Sequence, residues 1–227
     1  MVNADFLNRL NHLERIARLT TKVKERDESI TYALVSRLLL EFEHRYPTRF
    51  ETFPQLYLRW NPQNRQDRRS TRPDIGFGSL LDSEEPPHIS LIGGAEVKPH
   101  IAVMRDFLAG AEMGSDPDVL AEFSIARSQA QDQAKCAVKM QYVANDVAIP
   151  WLLVVGPYFI IEHFGPFNDA ELATRGHRVN DSGDWDIAIF LTAERQAGIS
   201  APANVYRIGT QEAFDAVARI FDDYFSQ

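Results

Sequence analysis

The chain has 227 residues, 44% of them hydrophobic and 25% charged, a composition typical of a globular protein with a core of ordinary size. Its formal net charge of −8 argues against a protein that coats nucleic acid without specificity. The single cysteine, Cys136, excludes an intramolecular disulfide framework and a cysteine-rich zinc site, and we expect it to be a buried packing residue.

The amino-terminal segment lacks the continuous apolar stretch that a secretory signal requires, and no run in the sequence reaches the length of a transmembrane helix. A lone cysteine also agrees with a reducing compartment. We therefore expect an intracellular protein, in the cytoplasm or the nucleus, with no membrane partner.

Two amphipathic helices are predicted at the start of the chain. Apolar residues recur at helical spacing from about residue 3 to residue 21 and predict the first helix. A second helix is predicted after the charged segment 22–28, because apolar residues at helical spacing form one stripe: Ile30, Leu34, Leu38 and Phe42. Pro47 marks its end.

Three strands are expected next. Residues 55–60 alternate apolar and polar side chains with period two, which predicts a strand, and a polar loop follows over 61–71. A second strand is predicted at 74–77 and a third at 88–98, where Pro99 ends it.

The second half of the chain begins with a predicted short helix at 104–114 and a long helix at 119–144, whose alanines permit close packing on a sheet. A hairpin of strands at 151–155 and 158–164, a strand or short helix at 184–192, and a final amphipathic helix at about 211–225 complete the pattern. This order favours a single α/β domain over 1–227, with a mixed central β-sheet flanked by helices. The first and last helices would be additions to that core.

Two short segments carry the chemistry of the sequence. The first is Arg72-Pro73-Asp74, and the second is Glu96-Val97-Lys98, in which Glu96 and Lys98 share one face of a strand. Two carboxylates suit Mg²⁺ or Mn²⁺, and an adjacent ammonium suits a phosphate or an attacking water. A hairpin that joins the two segments would therefore build a metal-dependent phosphodiesterase site. The alternatives are an ordinary turn aspartate and a solvent-facing ion pair on a strand edge.

With these residues and this order of elements, the chain resembles the PD-(D/E)xK nuclease superfamily, whose members have the restriction-endonuclease-like fold. The resemblance spans about residues 28–164 and is carried by Asp74, Glu96 and Lys98 on strand-like segments and by glutamines on the long helix. Within the superfamily, the chain most resembles fungal-type members that pair Arg-Pro-Asp with a glutamine-rich helix and a following hairpin.

The resemblance implies a role for each matching position. Asp74 and Glu96 would be metal ligands for Mg²⁺ or Mn²⁺, and Lys98 would orient or activate the attacking water or stabilise charge on the phosphate. An acid of the helix before the strands would complete the metal shell; Glu28 ranks first, with Glu41 and Glu43 as alternatives. On the long helix, Gln133 ranks ahead of Gln129 as the superfamily's helical glutamine.

Nucleic acid is the expected partner, DNA ahead of RNA. An arginine-rich loop could grip the phosphate backbone, and Tyr57 and Trp60 could stack on bases; Gln129 could touch a phosphate. The arginines are Arg65, Arg68, Arg69 and Arg72. An incidental, solvated loop is the alternative.

The sequence therefore predicts a metal-dependent nuclease that hydrolyses phosphodiester bonds, for which a homodimer remains open. One alternative is a binding module that keeps the nuclease fold without activity, and another is a metal-dependent phosphohydrolase of small molecules with an enclosed pocket. The six histidines show no metal-ligand spacing, and we expect His100 to lie on the surface.

Overall fold

The computed structural model describes residues 4–20, 22, 28–47, 49–60, 69–81, 88–101, 117–173 and 205–226. The helices in these ranges are α1 (Ala4–Thr20), α2 (Glu28–Arg45), α3 (Pro117–Lys139), α4 (Asp169–Ala173) and α5 (Gln211–Phe225). The strands are β1 (Glu51–Pro54), β2 (Leu58–Trp60), β3 (Arg69–Thr71), β4 (Ile75–Leu81), β5 (His88–Lys98), β6 (Ile149–Val155), β7 (Tyr158–Phe164) and β8 (Tyr206–Arg207).

Six of the strands form one open, mixed sheet in the order β1-β4-β5-β6-β7-β8, and β2 pairs with β3 in a separate two-stranded sheet. In the large sheet β5 and β6 are parallel, and the other neighbouring pairs are antiparallel. Parallel neighbours need a crossover connection, and α3 lies in the segment that makes it. The predicted α/β class with a mixed sheet flanked by helices is confirmed.

Apolar residues cover both faces of the sheet because side chains alternate along each strand. One face packs under α1, α2 and α5, with Val97 and Val154 among its buried members. The other face packs under α3, with Trp151 and Leu153 among its buried members. Cys136 is buried in this second core, as the sequence predicts.

Small residues let α3 lie close to the sheet. Four alanines at helical spacing on α3 are completely buried: Ala126, Ala130, Ala134 and Ala137. Opposite them Gly94 leaves room for the indole of Trp151, since a Cβ at Gly94 would lie 2.3 Å from the Trp151 Cζ2 atom.

Several boundaries differ from the sequence prediction. The strand expected at 55–60 begins only at Leu58, because Gln55 adopts a left-handed backbone conformation, with φ of 52°, and turns the chain out of the large sheet. The edge strand β1 precedes that turn and was not predicted. The loop expected over 61–71 contains β3, which pairs with β2. The long helix ends at Lys139 instead of at residue 144, because the left-handed Gln141 stops it.

The other helix and hairpin predictions agree with the structure within a few residues. Strands β5 and β7 have the predicted bounds, and α1 and α5 lie at the expected ends of the chain. The elements expected at 104–114 and 184–192 lie outside the described residues. None of the helices in the described part of the chain combines the length and apolarity needed to cross a bilayer.

The glycine that faces Trp151 gives the first prediction. We expect Gly94→Ala to lower the free energy of unfolding by about 1–3 kcal/mol, because the added methyl group meets a fixed indole inside a packed core. Gly76 is the matched control: it is the cross-strand partner of Gly94, but a Cβ there meets the flexible end of Leu56 at 3.0 Å. Urea unfolding of both variants tests this, and equal losses would contradict it.

Candidate metal centre

Asp74 is held at the end of the β4–β5 ladder. The last pair of that ladder joins Ile75 to Ala95, and β5 continues past it to Lys98. The backbone N–H of Val97 lies in this extension and donates to Asp74 Oδ2 at 2.7 Å. The carboxylate therefore accepts a hydrogen bond that a backbone carbonyl of a longer β4 would otherwise accept, and this fixes Asp74 beside the end of β5.

Glu96 lies on the face of β5 that α3 covers. Its relative exposure is 5%, and that of Lys98 is 9%. Lys98 Nζ donates to Glu96 Oε1 at 2.7 Å, and Gln133 Nε2 donates to Glu96 Oε2 at 2.6 Å. A solvent-facing ion pair is excluded, because both side chains are buried on the face of β5 that α3 covers.

The two carboxylates influence each other electrostatically. Burial raises the pKa of Glu96 from 4.5 to about 7; the charge of Lys98 opposes this rise, and the charge of Asp74 adds to it. Burial also raises the pKa of Asp74, against the opposing effects of the Val97 N–H and Lys98. Such a pair resists carrying two negative charges at once, which is the electrostatic condition that favours a bound cation.

The donor set fits a hydrated divalent ion. Each carboxylate oxygen has about two lone pairs, and each of the four oxygens accepts one hydrogen bond from the described residues, which leaves lone pairs for a metal. Gln133 Oε1 is buried and has no hydrogen-bond partner within the described residues, which suits a metal-bound water. The described ranges contain no group of three or more His, Cys, Asp and Glu side chains that could hold a metal. Mg²⁺ keeps several waters and needs only one or two carboxylates.

The three candidate acids of α2 lie in different places. Glu28 is exposed at the first residue of the helix, one turn before Tyr32, whose hydroxyl donates to the Asp74 carbonyl at 3.0 Å. Glu41 pairs with Arg9 at 2.6 Å, and Glu43 accepts from the Thr52 hydroxyl at 2.6 Å. Those two acids lie about 20 Å further along the helix than Glu28, so only Glu28 stands at the end of α2 that faces Asp74.

The residues predicted to contact nucleic acid are only partly described. Arg72 is exposed; its carbonyl accepts from Gln133 Nε2 at 3.2 Å, and its guanidinium lies 5.0 Å from the centre of the Tyr57 ring. Gln129 is exposed one turn before Gln133. Arg69 lies in β3, and Arg65 and Arg68 fall outside the described residues.

One expectation about the surroundings of the centre is wrong, and two contacts were missed. His100 has no exposed surface, because the chain after β5 stays inside the protein, where Ile101 packs on the core under α3. Tyr32 and Gln55 both bind Asp74, the first at its carbonyl and the second at its carboxylate. Their sequence positions carry no signal of this role, apart from the spacing of Tyr32 one helical turn after Glu28.

No protein-family model, curated protein or solved structure matches this chain.

The raised pKa of Glu96 gives a prediction for stability. Because the folded protein holds the Glu96 proton more tightly than the unfolded chain, ionisation lowers stability as pH rises between 4.5 and about 7. In the presence of a chelator, we expect Glu96→Gln to raise the free energy of unfolding at pH 8 by about 1–3 kcal/mol, and this gain to disappear below pH 4.5. Urea unfolding across this pH range measures it, with Glu51→Gln on exposed β1 as the control. A gain that is independent of pH would contradict the assignment.

Proposed function

We propose that this protein is a metal-dependent nuclease of the PD-(D/E)xK superfamily, with a restriction-endonuclease-like core and Mg²⁺ or Mn²⁺ as its cofactor. The observation that carries the proposal is the convergence of Asp74, Glu96, Lys98 and Gln133 at the end of β5, with both carboxylates partly desolvated and electrostatically coupled. DNA ranks ahead of RNA as the substrate.

The order of the elements supports the superfamily assignment. A helix, α2, precedes the antiparallel strands β1, β4 and β5; α3 follows, and β6 returns parallel to β5 before the antiparallel β7. Asp74 immediately precedes β4, and the Glu96–Lys98 pair stands at the end of β5. These are the three residues to which the resemblance assigns the roles of catalytic carboxylates and lysine.

The roles of the side chains follow from their positions. Asp74 and Glu96 would hold the metal, which when bound neutralises phosphate charge and lowers the pKa of a water. Lys98 carries a positive charge beside Glu96, where it can orient the attacking water or stabilise the charge that develops on the phosphate. In the reaction the hydroxyl of one water bonds to phosphorus, one ester P–O bond breaks, and the remaining hydrogen ends on the leaving alcohol.

The exposed side of the centre suits a polymeric phosphodiester better than a small molecule. Arg72 is tied through its carbonyl to Gln133 and carries an exposed guanidinium, which can pair with a phosphate next to the one being cut. Tyr57, beneath that guanidinium, is 44% exposed and can stack on a base.

Metal-dependent cleavage is the direct test. We expect the protein to nick plasmid DNA or cut single-stranded DNA with Mn²⁺ or Mg²⁺, and not with EDTA. Asp74→Ala and Lys98→Ala should each lower the rate by about 100-fold or more, because each removes charge stabilisation from the transition state. Asp146→Asn, which alters an exposed turn, is the control variant.

The possible results separate the competing functions. A folded wild-type protein that binds nucleic acid but cuts neither DNA nor RNA would indicate a binding module. Cleavage of small phosphoesters alone would indicate a phosphohydrolase. Cleavage that survives in both Asp74→Ala and Lys98→Ala would show that the activity belongs to another site or to a contaminant.

Another prediction concerns the acid of α2. We expect Glu28→Gln to reduce cleavage about 10-fold or more, since a residue that supports a metal site contributes on that scale. Glu41→Gln and Glu43→Gln should leave the rate per folded molecule unchanged, because those carboxylates bind Arg9 and Thr52 instead. Initial rates at limiting Mn²⁺ compare the three variants. A larger loss of rate in Glu41→Gln or Glu43→Gln than in Glu28→Gln would show that the supporting acid lies at the other end of α2.

A further inference from the structure

Gln55 makes two contacts with Asp74. Its backbone N–H donates to the Asp74 carbonyl at 2.9 Å, and its side-chain Nε2 donates to Asp74 Oδ1 at 3.3 Å. With the Val97 N–H on Oδ2, both oxygens of this carboxylate are then held by donors from different segments. The side-chain plane of Asp74 is therefore fixed before any ligand binds.

The backbone of Gln55 adopts a conformation that is costly for this residue. Its φ of 52° lies in the left-handed region, which glycine enters without steric cost and which asparagine and aspartate enter more readily than glutamine. The turn itself only redirects the chain from β1 toward β2, and a glycine would do this without strain. A strained residue beside a candidate site is a reason to ask what its side chain does.

We propose that Gln55 is a positioning residue of the metal centre: its side-chain amide holds Asp74 in the orientation that binds the metal. This inference rests on the proposed function. The amide fixes one carboxylate oxygen while leaving a lone pair on that oxygen for the metal. Outer donors of this kind orient metal ligands, and their loss typically weakens metal binding 10- to 100-fold.

Two substitutions separate the amide from the strain. Gln55→Met keeps the length of the side chain and the strained backbone but removes the donor. Gln55→Gly removes the donor and the strain together. We expect both to weaken Mn²⁺ binding about 10-fold, measured by calorimetric titration of the metal alone. Only Gln55→Gly should become more stable toward urea in chelator, with an unfolding constant about two- to fivefold smaller.

Gln141 provides a control within the same chain. It is also a glutamine with a left-handed backbone, with φ of 62°, just past the end of α3. Its carbonyl accepts from His88, which lies about 26 Å along β5 from Glu96. Gln141→Gly should therefore gain stability as Gln55→Gly does, while its Mn²⁺ affinity stays at the wild-type value.

Cleavage kinetics add a second measurement. Because the amide acts through Asp74, the apparent affinity for Mn²⁺ in the cleavage reaction should fall in Gln55→Met, while the rate at saturating Mn²⁺ stays within about threefold of wild type. In Asp74→Ala, both the apparent affinity for Mn²⁺ and the rate at saturating Mn²⁺ should fall.

The outcomes distinguish this inference from the proposed function. The wild type could bind Mn²⁺ and cleave while Gln55→Met keeps the same Mn²⁺ affinity. That result would overturn the role of Gln55 and leave the nuclease proposal intact. Equal loss of affinity in Gln141→Gly would also overturn it, because the effect would then be general. Absence of Mn²⁺ binding in the wild type would overturn both proposals.

Discussion

The arrangement at the end of β5 depends on keeping two carboxylates and one ammonium close together with little access to water. Burial favours the neutral form of a carboxyl group, so the pKa values of Asp74 and Glu96 rise, and the positive charge of Lys98 offsets only part of this effect. The fold must therefore supply hydrogen-bond donors to each carboxylate oxygen. It does so with a strand N–H, two glutamine amides and the lysine itself.

These donors come from segments that are distant in sequence, so the centre exists only in the folded chain. Gln133 reaches Glu96 because the alanines of α3 allow that helix to lie close to β5 and β6. Val97 can donate to Asp74 because β4 begins at Ile75 while β5 continues on its own to Lys98, supported on its other side by the parallel pairing with β6. The crossover through α3 thus allows β5 and β6 to pair in parallel, and the same helix covers Glu96.

The sequence was informative where local pattern decides structure and silent where tertiary contacts decide it. The strand predicted at 88–98, which Pro99 ends, has the observed bounds of β5. The two-residue spacing places Glu96 and Lys98 on one face, where they form an ion pair. The ranking of Gln133 over Gln129 agrees with the burial of the first and the exposure of the second. The turn at Gln55 was not predictable, because glutamine is not a left-handed turn former, and β1 was missed because it is short and ends at Pro54. The burial of His100 follows from the path of the chain after β5, which no local pattern encodes.

Arg72 connects the buried centre to the surface. Its carbonyl accepts from the same Gln133 amide that donates to Glu96, while its guanidinium lies exposed over Tyr57. One residue therefore belongs to the hydrogen-bond network of the carboxylates through its backbone and to the solvent-facing surface through its side chain. Because the peptide of Arg72 is held by Gln133, and Asp74 two residues later is held by Val97, the backbone of Arg72 is fixed relative to the carboxylates. Under the proposed function, a substrate phosphate that binds Arg72 would lie near Asp74 and Glu96 without any rearrangement of the main chain, and such preorganisation lowers the barrier to phosphodiester hydrolysis.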